Sequence, residues 1–186
     1  MKKKLTPRPW FFPRPVLLLS TRDLAGKDNI ITVSWAGVAC TNPPMVTVSL
    51  RKTRHSHATV SATREFVVNV PTSKQVVDVE LCGTRSGMEV DKFSMSGFTK
   101  LAATMVASPL IAECPINLEC QVRHIVPLGS HDLFVAEVVQ THADHSLIGE
   151  DGTLDDTGLD CLAWGDGDFL RVLKKTIHSS HPIQVL

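Results

Sequence analysis

A mainly β fold, a small antiparallel β-barrel with peripheral helices, is what this chain predicts. Three observations carry the expectation. Short runs with strand character recur along the chain with turn signals between them, only two segments read as clear helices, and residues 116–123 alternate apolar and polar side chains without a fault. That combination favours a closed antiparallel sheet over a parallel α/β layer.

The 186 residues suit a single domain, 1–186, able to bury roughly two-thirds of the surface its unfolded chain exposes. Residues 1–15 are proline-rich and hold Trp10, Phe11 and Phe12, so they read as extended, with 1–12 an N-terminal arm pinned by aromatic anchors. Residues 16–21 form the first strand. The turn-rich stretch 23–28 leads into a second strand over 29–35, which makes a hairpin. Pro43 and Pro44 mark the next loop. Over 45–50, Met45, Thr47 and Ser49 alternate with Val46, Val48 and Leu50, the period of a half-buried strand. A basic loop follows, then a short helix over 57–63 and a strand over 66–70. Residues 73–83 read as a helix, with Val76, Val77, Val79 and Leu81 as its apolar face and Gly83 as its C-terminal stop. Residues 87–97 are a loop with a helical turn around Asp91, Lys92 and Phe93. The strand at 116–123 pairs with 133–140 across a turn at 129–132. From 149 onward Gly and Asp dominate, and a C-terminal loop and tail (152–186) is all that can be assigned, His178 and His181 included.

The 19 basic residues cancel the 19 acidic ones. No overall positive field then draws in nucleic acid or an anionic membrane, so neither is an expected partner. The longest apolar run near the start, 16–19, falls far short of the roughly 20 residues that span a bilayer, and Pro7, Pro9, Pro13 and Pro15 interrupt any signal-peptide core. A soluble protein is expected. The cysteines, Cys40, Cys82, Cys114, Cys120 and Cys161, are odd in number and lack a C-x-x-C pair. That argues against a disulfide framework and a zinc ribbon, and a reducing cytoplasm is the simplest location. His55 with His57, and His142 with His145, make no good metal pattern, so no metal is expected.

Arg51, Lys52 and Arg54 cluster just before a helix whose start is marked by Thr53 or Ser56. Fixed cations and the free N–H groups of a helix N-terminus would aim at one place, where a phosphate fits. Solvated loop charges are the plain alternative, and on the residues alone the two stand even. Thr32, Ser34 and Trp35 end a strand and are followed by the small Ala36, Gly37 and Ala39, so the backbone can approach a flat ligand closely, as flavin sites require. Taken singly, Thr and Ser fit any pleated surface and Trp35 fits any core. Cys40 follows that strand and is either a ligand contact or a small buried hydrophobe. The chain holds no G-x-S-x-G, P-loop or G-x-G-x-x-G, which removes support for hydrolase, kinase and Rossmann dehydrogenase readings.

The ordered motifs P-R-P-V-x-L-x-S-T at 13–21, N-x-x-T-x-S-W at 29–35, P-P-x-V-x-V-S-L-R-K-T-R at 43–54, E-F-V-V-N-V-P at 65–71, S-G-M-E-V-D-K-F at 86–93, A-S-P-L-I at 107–111 and H-D-L-F-V-A-E-V at 131–138 resemble the flavin reductase-like, FMN-binding split-barrel family, its flavoredoxin branch in particular. The resemblance runs from Pro13 to about Asp151. It implies a split β-barrel that dimerises, with one FMN per subunit near the subunit interface. Position by position, it implies that Thr32, Val33, Ser34 and Trp35 contact the isoalloxazine with Cys40 and Thr41 beside it. Ser49, Leu50, Arg51, Lys52, Arg54 and Ser56 would hold the ribityl phosphate, Lys92 would lie in a turn near the flavin, and His131 would face it. The chain departs from the family where many relatives carry a threonine and an aromatic after the arginine: it has His55-Ser56-His57, with the serine hydroxyl in place of the threonine's.

With FMN in place, the resemblance implies that hydride or electrons pass through the flavin N5 and that the cofactor carries the redox chemistry; no catalytic residue is assigned, with His131 the one candidate. The resemblance implies an oxidoreductase, either a flavin or ferric reductase using NAD(P)H or a flavoredoxin-type electron carrier. A redox protein is the other donor it allows, and free flavin, a ferric species or a protein are the acceptors. A non-catalytic flavin-binding split barrel and a pyridoxamine-phosphate-oxidase-like enzyme are the alternatives. The basic cluster follows the flavoredoxin arrangement rather than the latter.

Overall fold

The computed structural model describes residues 1–165 and 167–172. In chain order its strands are β1 (Arg14–Pro15), β2 (Leu17–Arg22), β3 (Asp28–Val33), β4 (Ala36–Thr41), β5 (Pro44–Arg51), β6 (Glu65–Val70), β7 (Lys100–Leu101), β8 (Leu110–Ile111), β9 (Ile116–Pro127), β10 (His131–Ala143), β11 (Cys161–Trp164) and β12 (Phe169–Val172). The helices are α1 (His55–Thr63), α2 (Val76–Thr84) and α3 (Lys92–Met95), with 3-10 turns at Ser73–Gln75 and His145–Leu147.

The main sheet is antiparallel throughout and seven-stranded, in the order β3-β2-β6-β9-β10-β5-β4. Its two edge strands, β3 and β4, follow one another in sequence without pairing. The sheet nevertheless curls until both ends share one interior: Leu19, Ile31, Val33, Val48, Leu50, Phe66, Val68, Phe134 and Ala136 pack together, with Ala36 against them and Val60 of α1 closing one end. The closed sheet expected from sequence is thus a barrel split between β3 and β4, where residues 34 and 35 cross the gap.

β2 and β3 are buried on both faces, and they place Ser20, Thr21 and Asn29 in the interior beside their apolar residues. Leu19 and Ile31 point into the barrel. Their neighbours Leu18 and Ile30 point outward, into a second core made with Val79 and Cys82 of α2, Phe93 of α3 and Leu162 of β11. This outer layer brings α2 and the small sheet β1-β11-β12 up beside the split.

Several expectations are corrected. β4 is a strand, although its residues are small and form strands weakly. β11 and β12 lie where only a loop and tail were expected: β11 pairs with β1, more than a hundred residues away in sequence, and β12 pairs with β11. α1 starts at His55 with Arg54 as its N-cap, and no side chain caps it. Gly83 does not stop α2, which runs on to Thr84. Val77 is 73% exposed, and the buried face of α2 is Val79 with Cys82. His131 and Asp132 belong to β10, paired with Arg51 and Leu50 of β5, rather than to the preceding turn. The arm has no regular structure before Arg14, and Trp10 and Phe11 are 52% and 77% exposed, so neither is buried as an anchor. His178 and His181 lie outside the described residues.

Candidate functional site

A cavity of about 800 Å³ opens along the split, walled by β3, the 34–35 crossing, the end of β5, α2 and the small sheet. Each wall owes its place to a local device. The crossing is tied to β5 by the Ser49 amide, which donates to the Trp35 carbonyl oxygen at 2.8 Å. Thr32 faces α2, and its hydroxyl donates to the Val79 carbonyl oxygen at 2.5 Å. Gly83 lets α2 sit this close: a β-carbon there would lie 3.2 Å from Thr32 Cβ.

Trp35 stacks on His131, with ring centroids 4.5 Å apart and planes 20° apart. His131 Nδ1 lies 2.9 Å from Ser130 Oγ. Burial, and then the Arg51 guanidinium beside it, lower the imidazole's pKa below its ordinary value, so His131 is neutral at neutral pH. Arg51 and Arg54 both line the cavity. Neither guanidinium is paired with a carboxylate among the described residues. Their loop is clamped from below instead by Asp132, which contacts His57 Nε2 at 2.8 Å and Lys52 Nζ at 3.4 Å. The hydrogen bond from His57 holds the Asp132 carboxyl below the usual range.

Of the residues expected at the site, Thr32, Val33, Ser34, Trp35, Ser49, Leu50, Arg51, Arg54 and His131 come together on this cavity. Five do not line it. Cys40 borders a separate apolar groove with Val38, Met45 and Val138, and Thr41 ends the same strand, paired with Pro44. Lys52 turns to Asp132. Ser56 is buried and accepts a hydrogen bond from Asn29 Nδ2 at 2.8 Å. Lys92 is buried behind the β3 wall, where its ammonium donates to the carbonyl oxygens of Ile30 and Cys82, each at 2.7 Å. Burial brings its pKa down to about 8, an effect that Cys82 opposes and Arg54 reinforces.

The sequence reading missed Arg14, Glu80, Gly83, Thr84, Trp164 and Phe169, all of which line the cavity. For Trp164 and Phe169 a signal was present: two aromatic residues in a stretch otherwise rich in Gly and Asp. Arg14 and the α2 residues carry no such mark, because only the packing of the outer layer brings them to the split.

With this geometry in hand, comparison with known proteins is informative. Residues 10–169 match the model of the flavin reductase like domain family. Among solved structures, the flavoredoxin of Desulfovibrio vulgaris (Miyazaki F) superposes with a TM-score of 0.89 at 27% identity, covering 98% of this chain and 99% of that one. A flavoredoxin from Methanosarcina acetivorans gives 0.83 at 26%, covering 99% and 97%. Among curated relatives, an NADH:riboflavin 5'-phosphate oxidoreductase of Streptomyces pristinaespiralis is 26% identical over 126 residues, 68% of this chain and 69% of its own length.

Proposed function

The chain belongs to the flavin reductase-like domain family, and from that premise we propose that it is an FMN-binding oxidoreductase. In this reading it takes electrons from a reduced nicotinamide nucleotide and passes them to a free flavin, a ferric species or a protein acceptor, and it works as a homodimer. The observation that carries it is the convergence in one cavity of two guanidiniums, Arg51 and Arg54, that pair with no carboxylate among the described residues, with a flat wall ending in Ser34 and Trp35. A phosphomonoester carries close to two negative charges at neutral pH, and two arginines match it. The Thr32–Trp35 wall accepts a planar ring system, and the ring stack of Trp35 on His131 borders it. Bound FMN supplies the hydride- and electron-accepting chemistry. The chain's residues position it: Arg51 and Arg54 fix the phosphate, Asp132 holds their loop in place, and neutral His131 offers a ring without adding charge.

The test uses two ligands that differ only in the phosphate. Charge-assisted contacts are worth about 1.5 to 3 kcal/mol each, so Arg51→Ala and Arg54→Ala should each weaken FMN binding roughly tenfold or more. Riboflavin affinity should change little. Equal loss of FMN and riboflavin, or no loss of either, would refute the phosphate assignment. A wild-type protein that purifies colourless and binds no added FMN would refute the function.

A further inference from the structure

Arg14 lines the same cavity from a different wall, the small sheet, where it is paired with Trp164 of β11. Its Nε is buried and has no hydrogen-bond partner. No carboxylate among the described residues pairs with it. A buried donor left without an acceptor costs about 1 to 3 kcal/mol, and such groups are rare enough to need a reason. The guanidinium is held in place: its Cζ lies 4.9 Å from the centroid of the Phe12 ring, which covers one face. Beside it, Trp164 and Phe169 meet edge to face with centroids 5.0 Å apart, and both rings also line the cavity.

If FMN binds as proposed above, on which this inference rests, its phosphate is matched by Arg51 and Arg54, and in the oxidised cofactor that meets a co-substrate donor neither the ring nor the ribityl chain brings a second anion. Arg14 is then a third cation on a cavity that Glu80 and Asp168 also line, and neither carboxylate is ion-paired with it. At about 800 Å³ the cavity also sits in the upper part of the roughly 300–1,000 Å³ range of small-molecule sites. A cavity of this volume, two aromatic rings and a guanidinium whose Nε is unsatisfied on one wall together describe a subsite for a second ligand that is both planar and phosphorylated.

We propose that Arg14, with Trp164 and Phe169, forms this second subsite and binds the phosphate group of the co-substrate that exchanges electrons with FMN. Two co-substrates carry that chemistry, a reduced nicotinamide dinucleotide as donor and free FMN as acceptor. Arginine suits the task because its planar fork meets two phosphate oxygens at once.

The experiment compares wild type, Arg14→Gln and Arg14→Lys, each loaded with FMN. Cofactor affinity is measured first, by fluorescence titration of the FMN-free protein, and should stay within about twofold of wild type in both variants. The donor arm titrates NAD+ and NADP+ into the loaded protein by calorimetry and follows flavin reduction by NADH, NADPH and the phosphate-free 1-methyl-1,4-dihydronicotinamide. The acceptor arm compares KM for free FMN with KM for free riboflavin. Arg14→Gln should weaken the phosphorylated ligand of one arm about tenfold, with a much smaller effect on its phosphate-free counterpart. The affected arm identifies the co-substrate, and Arg14→Lys should restore part of the loss because it keeps the charge. Equal losses with and without the phosphate, or no loss in either arm, would overturn the proposal. So would a fall in FMN affinity as large as that of Arg51→Ala, which would assign Arg14 to the cofactor's own cradle. Failure of wild type to bind FMN at all marks instead the failure of the underlying FMN reading.

Discussion

At the scale of single residues, Gly83 sets how far α2 stands from β3. A β-carbon there would approach Thr32 Cβ to 3.2 Å, and Thr32 has little room to yield because its hydroxyl is fixed on the Val79 carbonyl. Alanine would gain up to about 1 kcal/mol of helix propensity, comparable with the cost of this single close contact. Valine adds bulk on the same side without that gain, so Gly83→Val is expected to destabilise by about 1–3 kcal/mol in urea denaturation. FMN binding should weaken with it, since both Gly83 and Thr32 border the cavity. Wild-type stability together with wild-type FMN affinity would show that the contact does not set the spacing. This glycine was visible in the sequence but suggested a helix stop, because a sequence carries no record of what faces a missing side chain. Ser56 and Lys92 were expected at the site from the family resemblance, and in the structure their hydrogen bonds are with Asn29, Ile30 and Cys82 inside the protein. Residue type says what a group is able to bond, and only the packing decides which partner it meets.

At the scale of elements, one side chain of β9 straps the 104–106 loop to the sheet. Glu119 is fully buried and accepts hydrogen bonds from the amides of Thr104, Met105 and Val106 and from the Thr104 hydroxyl, with His142 Nε2 of β10 at 2.6 Å. The strapped loop covers Val67, Val106 and Leu110. Burial pushes the Glu119 carboxyl up, but the donors, the Thr104 amide foremost, outweigh it and hold the pKa at about 2. The folded value lies below the unfolded one of roughly 4.3. The stabilisation is therefore fully present above that unfolded value and is lost as pH falls through about 2. Glu119→Gln should cost about 2–3 kcal/mol at pH 7, and the deficit in urea denaturation should shrink at pH 3. An equal deficit at both values would mean that the carboxylate charge is not its source. The long strands β9 and β10, like the paired β2 and β3, were legible as strands from their alternation or apolar residues, but in β9 the alternation did not tell that its polar face, with Asn117 and Glu119, is the covered one. β4, β11 and β12 were not legible. Ala36, Gly37 and Ala39 favour no strand by themselves, and β11 exists because it meets β1 across the whole length of the chain.

At the scale of the whole molecule, the described residues leave apolar side chains exposed. Trp10 and Phe11 stand in solvent, Val38 on the edge strand β4 is 83% exposed, and beside Val38 an open groove is lined by Met45, Leu118 and Val138. Apolar surface of this kind marks a contact with another molecule more often than a free face, and a second copy of the chain is the occupant proposed above. The proline-rich arm has no regular structure before Arg14, and the Trp10 and Phe11 amides turn back onto the Arg8 and Pro9 carbonyl oxygens. Its supposed anchors were misjudged, because the sequence cannot say whether an aromatic ring packs on its own chain or on a neighbour. The arm also reaches the cavity, since Phe12 covers one face of the Arg14 guanidinium, so assembly and ligand binding are expected to respond together. Deleting residues 1–12 should shift the protein from dimer toward monomer in light scattering and should lower its retention of FMN through gel filtration. The two effects need not be equal, because Arg51 and Arg54 still hold the phosphate when the arm is gone. A full-length protein that scatters as a monomer with its FMN fully bound would refute the dimer, and the arm would then owe its aromatic residues to some contact other than self-association.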